Sequence, residues 1–151
     1  EYHKGAMQSV ALKVFNQISE GKTATLFKSH HPNYADGGQL RDFIWVDDCV
    51  NVVLWLLQNS HVCGLFNCGT GKARSFQDLV TAVFSAMNKE VNIKFIPTPE
   101  EIRDKYQYFT QADMKKLFSA GFDKPFMSLE DGIKAYVGDY LLKDDQYRSY
   151  K

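Results

Sequence analysis

No stretch of this sequence approaches the roughly 18 consecutive apolar residues that a membrane-spanning helix requires, which excludes a helical span. Cysteine is scarce. Cys49, Cys63 and Cys68 are an odd number with no CxxC pair, which argues against a disulfide framework and suits free thiols in a reducing cytoplasm. His61 lies near Cys63 and Cys68, but the spacing fits no standard zinc-ligand pair, so no metal is expected. An excess of either charge is also missing. The chain has 18 basic and 18 acidic residues and a formal net charge of +0. That argues against a nucleic-acid partner, which needs a basic face, and leaves room for a small anionic ligand. A dinucleotide fingerprint is absent too. Gly69-Thr70-Gly71 begins like G-x-G-x-x-G, but Arg74 stands where the third glycine belongs, and the P-loop pattern fails as well. No signal peptide, internal repeat or low-complexity tract is visible.

What is present suits one soluble domain. Across 151 residues, 44% are apolar and 24% charged, ordinary values for a globular chain. Apolar residues recur at helical spacing in several segments. They are Met7 to Ile18 (stopped by Gly21), Val46 to Leu57, Phe76 to Met87, Ala112 to Ala120 and Leu129 to Leu141. Ser75 with Asp78, Thr110 with Asp113 and Ser128 with Asp131 read as helix starts, because a hydroxyl there can accept from a free N–H of the first turn. Asp47 and Asp48 read as first-turn charges favoured by the helix dipole. Strands are expected at Thr25–Lys28, Asp42–Ile44, Leu65–Cys68 and Ile93–Ile96, and a surface loop at Ser29–Gln39. The tail Lys143–Lys151 is polar and expected to fray. The order of elements is α/β, but it lacks an opening glycine-rich βαβ unit, which suggests part of a larger architecture.

Few residues offer chemistry. Arg41, just after the loop, could hold a diphosphate through its planar fork, or could pair with an aspartate at the surface. Lys4 could act as an acid or base only if its surroundings lowered its pKa; otherwise it is solvated. Tyr106-Gln-Tyr-Phe109 could lend a phenol to a ligand or pack in a core. His30 and His31 read as solvated loop residues, and Gly69–Gly71 as a tight structural turn. Tyr147-x-x-x-Lys151 matches a Y-x-x-x-K catalytic pair, but it stands in the polar tail with no helix to align it and reads as coincidence.

Together these motifs resemble a known family. Arg41-Asp-Phe-Ile-Trp-Val-Asp-Asp48 and Phe66-Asn-Cys-Gly-Thr-Gly71, followed by Ser75-Phe76, are similar to segments of extended short-chain dehydrogenase/reductase enzymes. His3-Lys4-Gly5-x-Met7-x-Ser9-Val10, Lys105 to Asp113, and Ala120 to Phe126 resemble the ADP-glyceromanno-heptose 6-epimerases in particular. The likeness runs from about His3 to Tyr140, and the loop Ser29–Gln39 departs from it by being longer and richer in histidine.

This resemblance implies an α/β fold: the C-terminal part of an extended short-chain enzyme, with some Rossmann-sheet strands and a small, mostly helical substrate-binding domain over 1–142. The NADP-binding half would be missing, so the isolated chain is expected to bind NADP negligibly and to be inactive. The parent would be a cytoplasmic homo-oligomer that inverts C6 of ADP-heptose by NADP-dependent oxidation and re-reduction, for lipopolysaccharide core. Lys4 would handle a proton. Substrate contacts would map to Ala6 (usually serine), Lys13 (elsewhere histidine), Phe27, Lys28, Ser29, His30, Arg41 and Tyr106. The alternatives are another nucleotide-sugar epimerase or dehydratase of the same superfamily, and a non-catalytic interaction module.

Overall fold

The computed structural model describes residues 2–143. The polar tail from 144 onward, with Tyr147 and Lys151, lies outside the described residues. The chain opens with 3-10 turns over Tyr2–Met7, kinked at Gly5, whose φ of 51° and ψ of −121° favour a residue without a Cβ. Helix α1 follows at Val10–Ser19, later than the expected Met7. Ser9 sets the start, its hydroxyl accepting from Leu12 N at 3.2 Å. Strand β1 is Ala24–Phe27, β2 is Leu40–Arg41 and α2 is Val46–Gln58. Strand β3 (Arg74–Ser75) runs into α3 (Phe76–Ala86). Strand β4 is Ile93–Ile96, and the short helices α4 and α5 cover Glu100–Arg103 and Lys115–Ser119. Helix α6 (Leu129–Tyr136) continues as a π-helical turn over Val137–Leu141.

The strands form two small pairs. β1 lies parallel to β4, with Ala24 opposite Ile93 and Leu26 opposite Phe95. β2 lies antiparallel to β3, with Arg41 opposite Arg74. Leu40 also bridges to Phe109. The main core fills the space between α1, α3, α6 and β1; Leu12, Ala24, Val80 and Val83 are each 0% exposed. A second cluster joins Val52 of α2 to Met114, Leu117 and Phe122.

Several expectations need correction. Leu65–Cys68 is not a strand. Strands exist only as pairs, and this segment meets side chains instead: Lys116 Nζ donates to Leu65 O at 2.7 Å and Asn67 Nδ2 to Asp113 O at 3.1 Å. The strand expected at Asp42–Ile44 ends at Arg41, because Asp42 turns into the next loop. Thr110 caps nothing. Its N–H pairs with Leu40 O at 3.2 Å, and α5 starts only at Lys115. By contrast, Ser75 and Asp78 make a reciprocal capping box on α3, and the Ser128 hydroxyl accepts from Asp131 N on α6.

Helix α2 is turned the unusual way round. Its buried residues are Asp48 and Val52. Val46, Val50, Val53, Leu54 and Leu57 follow helical spacing along the other side and are 57, 45, 56, 48 and 72% exposed. An amphipathic helix normally buries such a stripe, so this face is built to be covered. Among the described residues, no helix is long and apolar enough to cross a membrane.

Candidate functional site

The aromatic residues near Arg41 build the site. β2 delivers Arg41, and the segment after α4 delivers Tyr106 and Tyr108. The guanidinium lies 5.6 Å from the Tyr106 ring centre and 5.7 Å from that of Phe76, at cation–π distance. Its Nη1 donates to Leu40 O at 2.7 Å and its Nη2 to Gln107 O. Arg41 therefore meets rings and carbonyls where a surface aspartate pair was the alternative reading. Its remaining N–H donors are available to an anion. Phe27, at the end of β1, meets Tyr106 edge-on at 6.2 Å, and Tyr106 meets Tyr108 at 5.6 Å. Burial pushes the Tyr106 phenol above its ordinary pKa; Arg41 pulls it down and Tyr108 adds to the rise.

The loop between β1 and β2 closes over these rings. The His30 N–H donates to Tyr108 Oη at 2.8 Å, and the Ser29 N–H to Asp36 Oδ1 at 2.7 Å. His31 is exposed yet not simply solvated, since its ring lies 5.2 Å from Tyr34 and 5.1 Å from Tyr108. The structure thus brings Phe27, Ser29, His30, Arg41 and Tyr106 into one neighbourhood, with the exposed Lys28 between them in sequence. Lys4 and Ala6 belong to the opening 3-10 turns and Lys13 to α1; both lysines are exposed. A cleft of about 590 Å³, lined by Tyr2, Trp45, Ile133, Tyr136 and Tyr140, opens beside those turns. A second cleft of about 670 Å³ lies between Lys72, Arg74, Phe122 and Phe126. Neither is lined by Arg41 or Tyr106, so their cluster is a surface of this chain and not one of these cavities.

Asp42 is the organising residue that sequence reasoning passed over. Its Oδ1 accepts from the Thr70 N–H at 2.8 Å and from the Thr70 hydroxyl. Its Oδ2 accepts from Gly71 N at 2.9 Å and Ala112 N at 3.0 Å. Burial acts to raise this carboxyl's pKa, but the bonds from Thr70, Ala112 and Gly71 outweigh it and hold the group below its ordinary value. A Cβ on Gly69 would come within 2.6 Å of both Asp42 Oδ2 and the Ala112 Cβ. Gly69–Gly71 is therefore a structural turn, as expected: the Thr70 and Gly71 N–H groups face a carboxylate of the chain and the Gly69 N–H meets Met114 Sδ at 3.3 Å, which does not fit a dinucleotide phosphate. Arg74, at the position of the missing glycine, instead ties β3 to α6 through Glu130 at 2.7 Å and to Asp78 at 3.2 Å.

Asp48 also departs from expectation. It is 6% exposed, and its Oδ2 accepts from Met127 N at 2.8 Å, so it is a cross-link as well as a first-turn charge. The cysteines are free. Cys68 lies against Cys49; burial first, then that neighbour, push its thiol up to about 11.

Comparisons with known proteins agree with this architecture. Residues 1–69 match the NAD dependent epimerase/dehydratase family. The chain is 56% identical over 147 residues to an ADP-L-glycero-D-manno-heptose-6-epimerase of Nitratidesulfovibrio vulgaris, covering 97% of this chain and 46% of that protein. The corresponding Fusobacterium nucleatum protein is 44% identical over 153 residues, again 97% of this chain and 46% of the relative. The chain thus spans about half the length of the curated relatives it matches. Among solved structures, the Helicobacter pylori ADP-L-glycero-D-manno-heptose-6-epimerase superposes with a TM-score of 0.71 at 24% identity, covering 92% of this chain and 39% of that one. A Bacillus cereus UDP-glucuronic acid 4-epimerase, solved with UDP-glucuronic acid and NAD, gives 0.67 at 24% identity over 85% and 38%. At that identity these two show the fold alone, a partial extended short-chain epimerase fold. Along 97% of its length, this chain is homologous to the ADP-L-glycero-D-manno-heptose-6-epimerases.

Proposed function

We propose that residues 1–142 are the C-terminal, substrate-binding portion of an ADP-glyceromanno-heptose 6-epimerase, a cytoplasmic homo-oligomer serving lipopolysaccharide core synthesis. One observation carries this reading: among the residues singled out by resemblance, the Arg41 guanidinium lies against the Tyr106 ring, Phe27 meets that ring edge-on, and the loop of Ser29 and His30 reaches the adjoining Tyr108. Arg41 would hold the diphosphate of ADP-heptose, because a guanidinium offers several donors to adjacent anionic oxygens. Tyr106 and Phe27 would flank the nucleotide or sugar. Lys4, held at the Gly5 kink, would pass a proton to or from the sugar hydroxyl, with Ala6 and Lys13 nearby in sequence. NADP supplies the hydride chemistry when bound. The turn at Gly69–Gly71 does not fit its phosphates, so the cofactor would be held by polypeptide outside this chain. The bare apolar stripe of α2 is consistent with a cofactor-binding half that packs there.

The test uses the longer protein. Turnover of ADP-heptose should be measured for the wild type and for Arg41→Lys, with KM and kcat separated. The lysine variant keeps the charge and loses the fork, so KM should rise about tenfold, the size of a charge-assisted bond. Conversion of UDP-sugars in preference to ADP-heptose would favour the related 4-epimerases or dehydratases. A wild type without any turnover, whose size on a sizing column grows with concentration, would favour an interaction module.

A further inference from the structure

Among the described residues, three side chains are both polar and buried: Gln39, Asp48 and Thr98. Asp48 is taken up by Met127 N. Gln39 and Thr98, each 1% exposed, both face the end of β1. The backbone ladder between β1 and β4 finishes where Lys28 N donates to Ile96 O at 2.7 Å. Beyond it the segment after β4 reads Pro97-Thr98-Pro99, and neither proline has an N–H to continue the ladder. The Thr98 hydroxyl takes over, donating to Lys28 O at 3.0 Å. Gln39 Nε2 approaches the same carbonyl at 3.4 Å and Phe27 O at 3.5 Å, at the outer limit of a hydrogen bond. Thr98 is therefore the stronger of the two holds.

The other side of Thr98 reaches the second arm of the site. Arg103 Nη2 donates to Thr98 O at 3.0 Å. Arg103 O in turn accepts from Tyr106 N at 3.3 Å. A continuous path therefore runs from Lys28 through Thr98 and Arg103 to Tyr106. It links the end of β1, where Phe27 meets the Tyr106 ring, to the segment that carries Tyr106 itself. The Arg103 Nε is buried with no hydrogen-bond partner. The guanidinium is thus held by packing and by the Thr98 bond, and a shift of Thr98 would reach it directly.

We propose that Thr98 is a positioning residue: its hydroxyl sets the Lys28 carbonyl and its carbonyl, through Arg103, sets Tyr106, so that both arms of the Arg41 site keep one register. This rests on the functional reading above for what the site binds, but not for the coupling itself. Thr98 touches no ligand in this scheme, so its effect should fall on substrate affinity and on local backbone motion, not on the chemical step.

The experiment compares the full-length protein with Thr98→Val, which keeps the shape and removes the donor, and Thr98→Ser, which keeps the donor. Steady-state turnover of ADP-heptose and amide hydrogen exchange are read on all three. In Thr98→Val, KM should rise about tenfold with kcat within about twofold, since the part-buried Lys28 carbonyl loses its main partner. The amides of His30, Leu40 and Tyr106 should exchange faster together, and Thr98→Ser should return both readouts towards the wild type. A lowered melting temperature with unchanged KM would overturn the proposal, making Thr98 merely structural. Faster exchange confined to residues 96–100 would overturn it as well. A wild type that does not turn over ADP-heptose would sink the functional reading; the exchange pattern then decides the coupling alone.

Discussion

Replacing Asp42 with asparagine should destabilise the protein more than any other single-atom exchange among its carboxylates. The side chain holds Gly71 N at 2.9 Å and Ala112 N at 3.0 Å on Oδ2, and Thr70 on Oδ1. Asparagine can keep its oxygen towards Thr70, but its amide nitrogen must then face two N–H donors. Two charge-assisted bonds are lost, each worth about 1.5–3 kcal/mol when protected. Asp42 is only half-buried, so water replaces part of that loss, and we expect about 2–3 kcal/mol in all. With a urea slope of about 2 kcal/mol per M, the unfolding midpoint should fall by roughly 1–1.5 M. The acid limb offers a second check. The folded carboxyl titrates below its ordinary 3.8. Its stabilisation is therefore complete above that unfolded value and is lost as pH falls through the lower folded one. Wild type and Asp42→Asn should converge in acid. If Asp42→Asn costs no more than Asp123→Asn, an exposed control, then Asp42 does not staple the loop.

Three further outcomes are expected. Ser75→Ala removes the donor-satisfying half of the capping box on α3 and should cost about 1 kcal/mol in urea unfolding; a change within error would place the helix start under tertiary control alone. Lys4→Met in the longer protein should lower kcat by about 10²–10⁴ with little change in KM, as for a lost proton-transfer group; an unaltered kcat rules Lys4 out of that role. Cys68, with its thiol raised to about 11 by burial and then by Cys49, should alkylate slowly at mildly alkaline pH. Cys49→Ser should speed that labelling, and an unchanged rate would remove Cys49 as a cause.

Local pattern carried much of this protein. The spacing of Leu79, Val80, Val83 and Phe84, with Ser75 and Asp78 ahead of them, places α3 within a residue of its true ends. Ile93–Ile96 is a strand as read. These features depend on atoms within a turn or two of each other, so a one-dimensional reading can find them.

What failed depended on partners far along the chain. Leu65–Cys68 has strand composition but no strand beside it, and composition cannot supply a neighbour. Thr110 has the form of a cap, yet its N–H is taken by Leu40. Asp42 looked like one more letter of a motif until the fold set Thr70, Gly71 and Ala112 against its two oxygens. Asp48 is a first-turn charge as read, but its bond from Met127 N could not be foreseen from spacing. Short-range spacing was enough to place α1, α2, α3 and α6 and two of the three expected caps, but not the four-residue α4. Which carboxylates became cross-links, which apolar stripe stayed bare, and how Phe27, Arg41 and Tyr106 met were settled by tertiary contacts, because hydrogen-bond and packing partners exist only after distant segments are brought together.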